Sequence, residues 1–83
     1  MGTRYGKGEI KFYNGSNLKS DFKNGFAEGQ GEMMYNNGDR YEGQFKGSEK
    51  DGIGIYIFSN GSKYEGGFSG DERNGVGTMV TYH

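Results

Sequence analysis

Five columns of residues recur along this chain at a fixed offset of 23, with no insertion or deletion from one copy to the next. Gly15, Gly38 and Gly61 form one column. The glycine pairs Gly6/Gly8, Gly29/Gly31, Gly52/Gly54 and Gly75/Gly77 form another. Phe22, Phe45 and Phe68 keep step with them, as do Phe12, Tyr35 and Phe58, and Leu18, Tyr41 and Tyr64. Only an array of one small unit holds such a phase over its whole length, so the period restricts the fold before any other property does.

The fullest copy, Asp39 to Gly61, reads as two short strands. In Tyr41-Glu42-Gly43-Gln44-Phe45 large and polar side chains alternate, the period of a half-buried strand. Gly52, Gly54, Tyr56 and Phe58 share one parity and project from one face. Asn14-Gly15, Asn37-Gly38 and Asn60-Gly61 separate successive units, and Asn-Gly predicts a two-residue type I′ turn with positive φ at both positions. Longer charged loops are expected inside the units, over Lys46 to Asp51 and Ser69 to Asn74. Glycine inside a strand marks a close approach by something bulky, so Tyr41 or Phe45 is expected to lie flat over the gap left by Gly52 and Gly54. The repeat core is therefore assigned to Tyr41, Gly43, Phe45, Gly52 and Gly54, with Tyr64, Gly66, Phe68, Gly75 and Gly77 one period later.

The pattern of Tyr41-Glu42-Gly43, Phe45, Gly52, Gly54 and Gly61 resembles the MORN (membrane occupation and recognition nexus) repeat, over essentially the whole chain. The resemblance implies an all-β fold without helices: β-hairpins stacked side by side into a single-layer, elongated, twisted antiparallel sheet. One array of residues 1–83 is expected, divided into a half repeat at 5–15 and full repeats at 16–38, 39–61 and 62–83. Phe22, Phe45 and Phe68 stand where the family usually has Trp, and Glu28, Asp51 and Asn74 where it usually has His. Leu18 and Ser20 replace the Tyr and Gly of the first full repeat, whose packing is expected to be looser. Met1 to Arg4 read as a frayed start. The half repeat lacks its first strand, so either the array is cut from a longer one or that edge is covered by something else.

Composition narrows the function classes. With 30% hydrophobic residues and 18 glycines, a thick core is out of reach, and the absence of proline suits a long hydrogen-bonded ladder. The chain has no cysteine, which removes disulfides, thiolate catalysis and Cys-based metal sites. No apolar run approaches the roughly 20 residues of a spanning helix, and no signal core follows Met1, so an intracellular location, cytoplasmic or cytoskeleton-associated, is expected. Net charge is −1, with a mildly positive N-terminal end and no basic stripe, which argues against nucleic acid.

No catalytic set assembles from these residues. The G-x-G pairs lack the following helix that a phosphate loop needs. Asn14-Gly15-Ser16 and Asn60-Gly61-Ser62 match a glycosylation acceptor, but turn geometry already accounts for them. Glu49/Asp51 and Asp71/Glu72 lack the alternating spacing of a calcium loop and read as solvated. His83, the single histidine, has no orienting partner in the sequence. The module is expected to be no enzyme, with no metal or other cofactor.

One asymmetry points to binding. The second face of the later strands turns apolar, from Lys7, Glu9 and Lys11, through Gln30, Glu32 and Met34, to Ile53, Ile55 and Ile57, then Val76, Thr78 and Val80. In a single-layer sheet nothing from the chain itself covers that face, and a contiguous exposed apolar patch marks an interaction site. Ile53, Ile55, Ile57, Val76, Val80 and Tyr82 are the expected partner-binding residues, for another protein or a second copy. The alternative is that the sheet curls and these side chains meet one another. The resemblance implies a scaffold module of cytoskeletal or ciliary assemblies such as radial spoke heads. It also allows phospholipid contact, as in junctophilins, though the roughly four to eight clustered basic residues of an anionic-lipid site are lacking. A third reading is an accessory array beside a lipid kinase or lysine methyltransferase domain.

Overall fold

The computed structural model describes residues 5–81; Met1 to Arg4, Tyr82 and His83 lie outside them. Seven strands follow in chain order: β1 (Tyr5–Lys11), β2 (Asn17–Lys23), β3 (Phe26–Met34), β4 (Arg40–Lys46), β5 (Glu49–Ile57), β6 (Lys63–Ser69) and β7 (Glu72–Val80). Each pairs antiparallel with its sequence neighbours, and among the described residues β1 and β7 have one neighbour each, so the sheet is open. No helix occurs among the described residues. The molecule is one sheet thick, 51 × 28 × 16 Å.

The two kinds of connection exchange the geometries expected of them. Inside the units the strands run on to two-residue turns at Asn24-Gly25, Gly47-Ser48 and Gly70-Asp71, whose φ values are all positive, between 53° and 86°. These are the type I′ tips. Between units, Gly15, Gly38 and Gly61 take positive φ but the asparagines before them do not. There the Gly15 N–H donates to Phe12 O (3.0 Å) and the Phe12 N–H to Ser16 O (2.8 Å), a three-residue connection of a type I turn closed by a left-handed glycine. The reason is the Asn side chain: Asn14 Oδ1 accepts the Ser16 N–H at 2.9 Å, and Asn37 and Asn60 do the same for Asp39 and Ser62. Such a side-chain turn holds the asparagine in ordinary backbone space and leaves the left-handed residue to glycine.

Neighbouring units are stitched at both ends. At the tips, the Ser48 N–H donates to Ala27 O (3.0 Å) and Ser48 Oγ accepts the Ala27 N–H (2.9 Å). One period later Asp71 repeats the exchange with Lys50, N–H to O at 3.0 Å and Oδ1 from N–H at 2.8 Å. At the opposite end Ser16 Oγ accepts the Asn36 N–H (3.1 Å), and Asp39 Oδ1 accepts the Ser59 N–H (2.8 Å).

The paired glycines serve two purposes. Gly43 and Gly54 face each other across β4 and β5, and a Cβ built at Gly54 would overlap the Tyr41 ring. The ring lies over this pair and its hydroxyl donates to Gln44 O at 2.7 Å. Tyr64 covers Gly66 and Gly77 in the same way. Gly52 is different from expectation: no aromatic covers it, its neighbour is the Gln44 side chain, and its φ is +99°. It sits in a bulge, because between the pairs Gly43↔Gly54 and Phe45↔Lys50 the second strand carries two extra residues. An even insertion preserves side-chain parity, so Lys50 and Gly54 stay on one face. Gly75, with φ +80°, has nothing within 4 Å of a built Cβ and occupies the same bulge position.

In the first full repeat Phe22 is only half-buried, unlike Phe45 and Phe68, but the two replaced positions are filled. Leu18 and Ser20 are both buried. A Cβ built at Gly31 would fall 2.8 Å from the Ser20 side chain. Leucine is too short to reach over the pair that a tyrosine ring covers, and the serine fills that space.

Replacing Gly54 with Ala should destabilise the fold by about 1–3 kcal/mol through overlap with Tyr41. In a Tyr41→Leu background most of that increment should disappear, whereas the cost of Gly52→Ala, which comes from backbone conformation, should persist. Urea unfolding of the three single and two double variants measures both differences.

Candidate functional site

One face of the sheet carries the packed aromatic rings; Phe26, paired with Lys23 beside the first tip, lies on the other face and is 53% exposed. Phe45, Tyr41, Phe68 and Tyr64 form a chain of edge-to-face contacts, with successive centroids 5.2, 5.0 and 5.4 Å apart. The middle contact joins the second repeat to the third, so the rings couple units as well as fill them. Tyr35, Tyr56 and Phe58 continue the layer at 5.6 and 4.9 Å.

Lys50 lies in the middle of this face. Its Nζ donates to the Tyr35 hydroxyl (3.0 Å), stands 3.4 Å from Asp71 Oδ1, and lies 5.5 to 5.8 Å from the centroids of Tyr35, Tyr41 and Tyr56. Its column runs Ala27, Lys50, Arg73, and the Arg73 guanidinium is 5.5 Å from the Tyr64 ring. Reading Lys46 to Asp51 as a solvated loop hides this residue; it shares Gly54's parity and so its face, and the bulge sets it opposite Phe45. Asp71, likewise read as solvated, is committed to Lys50 through its N–H, its carbonyl and its ammonium. A cleft of about 490 Å³ opens beside Lys50, between Tyr56, Phe58 and Phe68 and bounded by Asp71, Glu72 and Arg73.

Burial shapes the titration of two tyrosines here. Desolvation pushes the Tyr41 hydroxyl up to about 12, only partly opposed by its hydrogen bond to Gln44 O. Tyr56 is raised as well, by burial first and then by its 2.7 Å hydrogen bond to the Asp39 carboxylate.

The opposite face carries the expected binding residues in two columns. Ile53, Ile55 and Ile57 project from β5; Val76 and Val80 project from β7, with Thr78 between them. Strand β6 separates them with Lys63, Glu65 and Gly67, so the isoleucines and valines do not close on one another. Ile57 is opposite Arg40 on one side and Lys63 on the other, and Ile55 opposite Glu42 and Glu65. The stems of these charged side chains shelter Ile55 and Ile57, which are half-buried. Ile53 is opposite Gly67, which offers no side chain, and is 68% exposed; Val76 is 94% exposed and Val80 47%. Over β5 to β7 the open apolar surface is thus a small focus at Ile53, Gly67 and Val76, with Val80 at its far end, and Phe26 and Met34 are exposed apart from it on the same face. Tyr82 lies outside the described residues.

The MORN repeat family model matches residues 19–40, 41–63 and 64–81, in phase with the hairpins described above. The chain belongs to the MORN repeat family. No curated protein matches it. MORN repeats generally mediate contacts with proteins or membranes, and in this MORN array the aromatic face is consumed by packing between hairpins while the isoleucine and valine columns remain uncovered.

A phenol whose folded pKa lies above its unfolded value stabilises the fold fully below that unfolded value and loses the contribution as pH rises through the folded one. Stability should therefore fall between pH 10.0 and about 12, as Tyr41 is forced to ionise. Urea unfolding across this range should show a shallower fall in Tyr41→Phe than in the parent chain.

Proposed function

We propose that this chain is a non-catalytic interaction module, a structural component of a larger assembly of the cytoskeletal or ciliary type. Its partner, a protein or a second copy of the chain, docks on the face that carries Ile53, Ile55, Ile57, Val76 and Val80. The observation that carries this reading is the one-sided packing of the aromatic rings. A single layer leaves its second face uncovered, and here that face presents apolar side chains that packing does not require. The single-neighbour edges of β1 and β7 offer main-chain donors and acceptors beside it. The lipid reading has less support, since acidic and basic side chains alternate across the back of the sheet around Ile55 and Ile57.

Ile53→Lys combined with Val76→Lys changes the two most exposed apolar positions of this face. Ile55→Lys adds a cation between Glu42 and Glu65, a site suited to receive it. All three substitutions should leave thermal unfolding within about 0.5 kcal/mol of the parent, as surface changes usually do. Partner recovery in proximity labelling, or self-association by light scattering, should drop in both variants. Unchanged partners together with an unchanged oligomeric state would remove this face from consideration, and flotation with anionic liposomes separates the membrane reading.

A further inference from the structure

Five Asn-Gly pairs occur in the chain, beginning at Asn14, Asn24, Asn37, Asn60 and Asn74. In such a pair the glycine nitrogen is unhindered by a Cβ and attacks the asparagine Cγ. A bond forms between that nitrogen and Cγ, the nitrogen gives its proton to solvent, and the side-chain nitrogen leaves as ammonia. Water then opens the resulting five-membered imide at either carbonyl, yielding aspartate or isoaspartate. Water is the only co-reactant, and nothing is oxidised or reduced. The reaction requires the glycine nitrogen to be free of hydrogen bonds and the Asn carboxamide to swing over it.

We infer that Asn24 is a site of spontaneous deamidation, set apart from the other four by the fold. At Asn14, Asn37 and Asn60 both reacting groups are held. The glycine N–H donates across the turn at 3.0, 3.1 and 2.9 Å, and the Asn Oδ1 accepts the N–H two residues on at 2.9 Å in each case. Asn36, beside the first of these turns, adds donors to Ser16 Oγ and Asn14 O at 3.1 and 3.0 Å. Asn74 lies within β7, flanked by the ladder pairs Phe68↔Arg73 and Gly66↔Gly77, and a Cβ built at Gly67 would fall 2.5 Å from its carbonyl oxygen. Turning the Asn74 peptide toward its own side chain would disturb that packing.

Among the described residues, Asn24 has none of these restraints. It is exposed at a tip, with φ 53°, and its carboxamide makes no hydrogen bond among the described residues. The Gly25 N–H makes none among the described residues either, and a Cβ at Gly25 would meet nothing within 4 Å. The equivalent N–H groups in the later units, those of Ser48 and Asp71, are hooked onto Ala27 O and Lys50 O, both at 3.0 Å. Conversion to isoaspartate would insert a methylene into the main chain of a two-residue turn. The pair Lys23↔Phe26 that the turn closes would then lose its register, and the tip of the first full hairpin would open while β4 to β7 kept theirs.

The test is ageing of the intact chain at mildly alkaline pH, followed by peptide mapping and by labelling with a carboxyl methyltransferase that recognises isoaspartate. Asn24 should convert about tenfold faster than Asn14, Asn37 and Asn60, a barrier difference of about 1.4 kcal/mol, which is the order that one or two further hydrogen bonds to be opened contribute. In concentrated urea the five sites should converge. Gly47→Asn with Ser48→Gly places the same dipeptide in a hooked tip, and it should remain intact while Asn24 reacts. Conversion first at any other site, equal rates in the folded chain, or the same ranking in urea would overturn the inference.

Discussion

Everything in this sheet depends on an aromatic ring lying over a pair of facing glycines. A single layer has no second sheet or helix to pack against, so apolar burial must be found within the layer. Tyr41 finds it by folding along its own strand across Gly43 and Gly54, with its hydroxyl satisfied by Gln44 O at 2.7 Å. It becomes completely buried in a molecule whose narrowest extent is 16 Å. The hydroxyl is what allows the ring to lie down: a phenol end pressed against a strand without an acceptor would cost about 1–3 kcal/mol of lost hydrogen bonding. Phe68 of the next repeat then packs against the Tyr41 ring at 5.0 Å, and burial in one unit becomes attachment to the next.

The same dependence explains the first full repeat. With Leu18 there is no ring to cover Gly31, and Ser20 at the facing position supplies both the volume and a hydroxyl that donates to Asp21 O at 2.9 Å. The two departures from the repeat pattern compensate each other in volume. Tyrosine beside Ser20 would overlap the serine, and glycine beside Leu18 would leave a gap over the pair.

The period, the alternation and the parity of the aromatic columns were enough to derive the strands and the shared face of Tyr41, Phe45, Tyr64 and Phe68, because these depend on local spacing alone; the side-by-side order of the hairpins came with the family resemblance. What escaped depends on which backbone group a short side chain bonds. Asn14 and Asn24 precede glycine alike, yet one turns its Oδ1 onto the Ser16 N–H and keeps negative φ while the other takes a left-handed φ of 53°. Lys50 was hidden because a run of charge normally means solvent, whereas strand β5 runs on through it and a bulge of two residues sets it opposite Phe45, beside Tyr35, Tyr41 and Tyr56. On the back face, hydropathy indicated the columns Ile53, Ile55, Ile57 and Val76, Val80 correctly as columns. Their separation by Lys63 and Glu65 follows from strand order, which places β6 between them.

This division of labour frees one face from the requirements of folding. On the aromatic side each unit must present a ring or its compensated substitute over a small pair, and the columns change little from repeat to repeat. On the other side the same strand positions pass from Lys7, Glu9 and Lys11 to Gln30, Glu32 and Met34, to Ile53, Ile55 and Ile57, with no change of strand register. Side chains there contribute cross-strand pairs of a few tenths of a kcal/mol up to about 1 kcal/mol each, too little to dictate their identity. Charged neighbours such as Arg40, Glu42, Lys63 and Glu65 also interrupt the apolar columns, which limits indiscriminate association of a layer with two open edges. A partner that reads this array is therefore reading a surface on which sequence can vary unit by unit, while the ring-over-glycine contact behind it holds the spacing between readings constant.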